Sequence, residues 1–249
     1  MSSYYRSLDI VGIRNTIERL SMRIHERFAD SGLYKVSQEL QILADQTQAK
    51  IIDVKKPNWY LRTVLVLLVA LIILGLIAIG VRMSTAENTP GFWELIQILE
   101  SGVNDLVFVG IFVIFLFSAE NRIKRKRILQ TLHELRAFAH VVDMHQLTKD
   151  IEHLPGANHR TKSSPVLDFT NFELKRYLDY CSEMLSIISK LAALQAQNFQ
   201  DEVVLSTVTE IEYLTSGLSR KIWQKITILS NYKDSEITSQ ENKPLSQEQ

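Results

Sequence analysis

Residues 64–81 read VLVLLVALIILGLIAIGV, and none of them carries a charge or a strongly polar group. As an α-helix the stretch covers about 27 Å, close to the hydrocarbon thickness of a bilayer. A helix at the surface of a water-soluble protein keeps one apolar stripe. This one is apolar on every face, which suits a membrane or the centre of a large core. Trp59 and Tyr60 precede it, where amphipathic rings favour a membrane interface. Pro57 sits near the start, where a missing N–H costs little. The pattern predicts a membrane-spanning helix within residues 57–82.

A second apolar run, LVFVGIFVIFLF at 106–117, is shorter. With 101–105 before it and Ser118 and Ala119 after it, the run reaches about 28 Å as a helix. It follows the first after a short connection, so residues 101–119 are expected to form the return helix of a hairpin. Residues 83–100 then form an external acidic loop.

Charge gives the hairpin a direction. Lys50, Lys55, Lys56 and Arg62 stand before the first run, and Arg122, Lys124, Arg125, Lys126 and Arg127 follow the second. Residues 83–104 hold Glu87, Glu94 and Glu100 and neither Lys nor Arg. The positive-inside rule places both termini in the cytoplasm. The expected location is the cell inner (plasma) membrane, crossed more than once. The five basic residues at 122–127 then meet anionic lipid headgroups. They do not point to nucleic acid: Lys plus Arg equals Asp plus Glu at 28 each, without the basic excess of a nucleic-acid-binding domain. The N-terminus has no basic start followed by an apolar core, so no cleaved signal peptide is expected.

The remaining chain is patterned for helices, with only 9 Gly and 5 Pro. Ile13, Ile17, Leu20 and Ile24 make one stripe and Leu33, Val36, Leu40 and Leu43 another, with ADSGLY between them and Gly32 as the turn. Residues 1–56 are therefore expected to be a helical hairpin. Ile128, Leu132, Leu135, Ala139 and Val142 alternate by four and three, a heptad-like seam within a helix over 120–150. Pro155, Gly156 and Pro165 mark a linker over 151–168. TNFE at 170–173 has the form of a capping box. It opens a helical pair over 169–230, with Leu174, Leu178, Cys181, Leu185 and Ile188 on one helix and Val204, Val208, Ile211, Leu218 and Ile222 on the other. The polar tail 231–249 is expected to be disordered. The fold class is thus an all-α membrane protein, a two-helix transmembrane hairpin between cytoplasmic helical and coiled-coil-like regions. The seam at 128–142 suits association between chains, which predicts a homo-oligomer and a surface for a cytoplasmic protein partner.

Cys181 is the only cysteine, so neither an intramolecular disulfide nor a cysteine-based zinc cluster can form, and its seam position marks a small core residue. His140 and Asp143, three apart on a helix, have the chemistry of half a metal site, which another chain or His145, His153 or His159 could complete, the alternative being a metal-dependent sensor or enzyme. His133 lies about 10 Å from His140 along the axis, so one ion cannot bridge both. The plainer reading is a polar flank of the seam, with Arg136 paired to Asp143. Glu100 and Asp105 at the outer end of the second run can form acidic rings at a pore mouth, with Phe108 and Phe112 lining the path. An acid in the first turn of a helix equally complements its dipole. No catalytic signature occurs, and neither enzymatic activity nor a cofactor is expected.

The segments ENRIKRKR with LHELRAFAHVVDMHQLTKD and TEIEYLTSGLSRKIWQKI resemble uncharacterised bacterial two-span membrane proteins. The layout also resembles the SLATT class, whose members are proposed as pore-forming effectors. That resemblance implies an inner-membrane setting and transfers no functional residue.

Overall fold

The computed structural model describes residues 7–55, 59–85, 91–149 and 169–241. Among them are six α-helices and no strand: α1 (Ile10–Phe28), α2 (Gly32–Lys55), α3 (Trp59–Thr85), α4 (Phe92–Leu147), α5 (Asn171–Asn198) and α6 (Glu202–Glu241). The chain divides into two compact units. Asp53–Arg127 forms one, and the residues on either side of that segment form the other. The dividing points fall near the end of α2 and inside α4, so α4 contributes a long stretch to each unit.

The flanking unit is a five-helix bundle of α1, α2, the part of α4 from Ile128, α5 and α6. Asp9 caps α1 by accepting from the backbone N–H groups of Val11 and Gly12. Ser31 serves two helices at once: its hydroxyl donates to the Phe28 carbonyl at the end of α1 and accepts from the Tyr34 N–H in α2. The turn is therefore Ala29–Ser31, and Gly32 is the first residue of α2 rather than the turn itself. Cross-links give the helix directions. Ser21 meets Ser37 at 3.0 Å and Arg14 meets Asp45 at 2.6 Å, so α1 and α2 run antiparallel. Arg23 pairs with Glu183, and Leu8 exchanges two hydrogen bonds with Gln197, so α1 runs antiparallel to α5. The capping box on α5 is complete: Thr170 Oγ1 accepts from the Glu173 N–H, and the Glu173 carboxylate accepts from the Thr170 N–H.

All five stripes expected from the periodicity close on one another inside this single chain. The seam on α4 is among the most buried: Leu132, Leu135, Ala139 and Val142 have no exposed surface. That corrects the expectation that the seam is left for another chain. Burial of one apolar surface can be used once, and here the bundle uses it. α5 is the central element. Besides the expected stripe it buries Tyr177, Tyr180, Met184, Ile187, Leu191 and Leu194, a second row in steps of three and four.

Some boundaries also move. α4 begins at Phe92, so residues 92–100 are helical rather than loop. α6 continues to Glu241, into the stretch expected to be a disordered tail. No Gly or Pro interrupts 231–241, and adding a residue to an existing helix costs far less than starting one. The linker at 151–168 lies outside the described residues.

The other unit contains α3 and the first part of α4. Its apolar side chains point outward: Leu67, Leu71, Leu74, Phe108, Ile111, Ile114 and Phe117 are all exposed. Among the described residues one helix, α4, is long and apolar enough to cross a membrane, and none of its apolar window is covered by protein. In α3 the apolar stretch with described side chains, Arg62–Gly75, is shorter.

Candidate functional site

The five basic residues at 122–127 occupy one and a half turns of α4, so they point in several directions rather than forming one face. Lys124 is bound to Glu120 one turn earlier at 2.7 Å, with both side chains about one-fifth exposed. Arg122 and Lys126 are exposed. Further along the unit, the side chains of Glu120, Arg62, Leu65, Val66, Leu116 and Phe117 line a crevice of about 330 Å³ between α3 and α4. Leu65 and Val66 lie one turn beyond Arg62 on α3, and Leu116 and Phe117 one turn before Glu120 on α4. Residues from 62–66 of α3 and from 116–120 of α4 thus border the same crevice.

Asp105, Phe108 and Phe112 share one face of α4 through their spacing of three and four. Phe108 is 64% exposed and Phe112 38%. Glu100 lies about 140° around the helix from Asp105, so the two acids proposed for one pore mouth do not share a face. Glu87 lies outside the described residues.

The His-rich end of α4 assembles differently from the expected half metal site. His133 and His140 are exposed, and among the described residues no three of His, Cys, Asp and Glu converge as metal ligands. Asp143 turns to its own helix and accepts from Gln146 Nε2 at 2.7 Å. Arg136 leaves Asp143 and reaches Glu210 on α6 at 3.4 Å. His153 and His159 lie outside the described residues. Gln146 is buried, and its Oε1 finds no partner among the described residues, while its backbone carbonyl accepts from Lys225 Nζ at 3.3 Å. Burial pushes the Cys181 thiol up, and the charge of Asp143 adds to this against an opposing effect of Lys225. A fully buried, protonated thiol is a core group and not a nucleophile.

His145, expected only as a further candidate ligand beside His140 and Asp143, instead lies against Gly32 of α2. A Cβ on Gly32 would come within 2.6 Å of its Cε1. A side chain at Gly32 would thus have to displace the tip of His145 from α4. Burial lowers the His145 pKa, and the nearby Lys149 cation lowers it further. Lys149 is itself lowered by burial, with its Nζ 4.9 Å from the Phe169 ring centre and 5.6 Å from that of Tyr177. Phe28 packs edge-on against Phe169, Tyr177 and Tyr180 beside it. The signal for this cluster was the second row on α5, which begins with Tyr177 and Tyr180. Burial raises the Tyr177 hydroxyl, with a smaller contribution from Cys181.

Taken together these features define an all-helical protein with a closed bundle and one helix apolar enough for a membrane. No protein-family model, no curated protein and no solved structure matches the chain.

Proposed function

We propose that the protein is a two-span inner-membrane protein whose hairpin anchors a cytoplasmic helical bundle, and that the bundle serves assembly with a protein partner or with further copies of the chain. The observation that carries this reading is the uncovered apolar surface of α4 beside an α3 of 27 residues, about 40 Å of helix. In water such a surface would be an aggregation liability, and in lipid it is solvated. The sequence of α3 from 64 to 81 supports a first crossing, and the connection from Thr85 to Phe92 is short enough for a hairpin. Arg82 is the one basic residue between the two apolar runs, against a dense cluster of Lys and Arg at the opposite ends, so orientation follows the positive-inside rule. No catalytic constellation competes with this role among the described residues. Because the α4 seam is closed, assembly would use exposed side chains such as Ile42, Val141, Tyr213 and Trp223.

Reporter fusions within residues 86–90 and after Gln249 test the hairpin directly. They are expected on opposite sides of the membrane, with the chain resisting alkaline extraction. Fusions in one compartment would sink the two-span reading. Crosslinking in membranes tests assembly, and monomer throughout would remove the self-association arm.

A second reading has a specific observation behind it. Asp105, Phe108 and Phe112 share an exposed face, so several copies placing that face inward would line a cation path. The SLATT-like layout points the same way. Reconstituted protein would then conduct, with cation preference reduced in Asp105→Asn. Absence of conductance across voltage and lipid composition would exclude it.

A further inference from the structure

The crevice between α3 and α4 has the polarity of a phospholipid. Arg62 and Glu120 line it together with Leu65, Val66, Leu116 and Phe117, and on α3 the apolar Leu65 and Val66 lie one helical turn from Arg62. The two charges are not equivalent. Glu120 already holds Lys124 at 2.7 Å. Arg62 makes no hydrogen bond or ion pair among the described residues, although its guanidinium offers five donors. Exposed Trp59 and Tyr60 occupy the turn before it, the residue types that sit at headgroup depth. The volume of about 330 Å³ falls at the lower end of small-ligand sites.

We infer that this crevice binds one glycerophospholipid, with its phosphodiester on Arg62 and an acyl chain along Leu65, Val66, Leu116 and Phe117. The inference rests on the membrane reading above and goes beyond it. General attraction of anionic headgroups to residues 122–127 needs no groove and has no stoichiometry. Here an unanswered cation sits over an apolar slot, so binding requires phosphate and acyl chain in one molecule. Arginine suits a phosphodiester because its planar fork donates two parallel hydrogen bonds. The ion pair of Glu120 with Lys124 keeps the acidic side of the crevice mouth from repelling the phosphate.

The test is native mass spectrometry of the full chain in detergent with phosphatidylglycerol added. Diacylglycerol of the same chains and inorganic phosphate serve as controls. One phosphatidylglycerol per chain is expected to be retained, with neither control held. Arg62→Gln should lower retention roughly tenfold, the scale of a lost hydrogen bond to a charged group. Leu116→Trp, which fills the slot while leaving Arg62 in place, should do the same. Equal retention of diacylglycerol, or undiminished retention by both variants, overturns the inference. Alkaline extraction of the same samples separates the two claims. A chain that stays in the membrane without a retained lipid defeats only this inference. A chain recovered without detergent defeats the membrane reading and the inference together.

Discussion

The two units use apolar side chains in opposite ways. In the bundle, Leu132, Leu135, Leu174 and Leu185 have no exposed surface, while Arg14, Arg23 and Arg136 form ion pairs around them. In the α3–α4 unit, Ile114 is 70% exposed and Leu106 74%. On the proposed membrane reading the surroundings differ to match: water outside the bundle, hydrocarbon outside α3 and the first part of α4. The difference also explains why one helix can serve both units. α4 is apolar all round from Leu106 to Phe117 and striped after Ile128, and its backbone hydrogen bonds are satisfied internally in either medium.

The largest contrast should come from truncation. Leu135→Ala removes packing at a closed position and is expected to cost about 2–5 kcal/mol in urea unfolding of the bundle. Ile114→Ala removes a similar volume where no protein touches it and should leave the same transition unchanged. Equal effects at both sites would mean that the two units do not differ as described. Charge should act with comparable strength at the other site. Ile114→Lys is expected to disfavour membrane insertion by about 3 kcal/mol, read as a fall in the alkali-resistant fraction. In a water-exposed helix the same change would be nearly neutral or would improve solubility.

The bundle's core was almost entirely legible in the sequence. The stripes from Ile13 to Ile24 and from Leu33 to Leu43 are buried, as are those on α4, α5 and α6, because a period of 3.6 survives whatever the helices pack against. What the pattern left open was the partner of each stripe. The seam at 128–142 has the same spacing whether it meets another chain or its own bundle, and the intramolecular contacts decide. Side-chain pairing was legible only where it is local. The Thr170–Glu173 capping box lies within one turn and could be read directly, whereas Arg136 to Glu210 spans two helices and could not. Gly32 illustrates a third kind of miss. Its place beside Ser31 fitted a turn, while the group a side chain there would meet is His145, more than a hundred positions away.

That contact predicts an intermediate effect. Gly32→Ala should push the half-buried imidazole aside and destabilise the bundle by about 1 kcal/mol, the low end of overpacking costs, since the group that must give is the end of a side chain. In His145→Ala the imidazole is gone, and Gly32→Ala on that background should be neutral or slightly stabilising, since alanine favours the helix. A double-mutant cycle measures the coupling. If the two changes add independently, the close approach between α2 and α4 is not what requires glycine.

The smallest effect expected is a pH dependence confined to the bundle. Burial first and Lys149 second hold the His145 pKa below its ordinary value of 6.5. The imidazole also packs on Gly32, the first residue of α2, where the positive end of the helix dipole opposes a proton. Below pH 6.5 the unfolded chain therefore binds this proton more readily than the folded one, and stability falls as pH drops from 6.5 toward the lowered folded value. Glu173 acts in a separate window. Hydrogen bonds from the Thr170 backbone and then its hydroxyl lower the Glu173 pKa from 4.5, so its contribution is present above that value and lost below it. Urea midpoints at pH 7.5 and 5.2 thus isolate the histidine. The wild type should be less stable at the lower pH, and His145→Gln should narrow the difference, keeping a polar side chain that does not titrate. In the α3–α4 unit Ile114→Ala should leave that difference as it is, because the proton acts on packing between α2 and α4 and not on the exposed apolar surface around Ile114. An unchanged pH difference in His145→Gln would place the acid sensitivity elsewhere in the bundle.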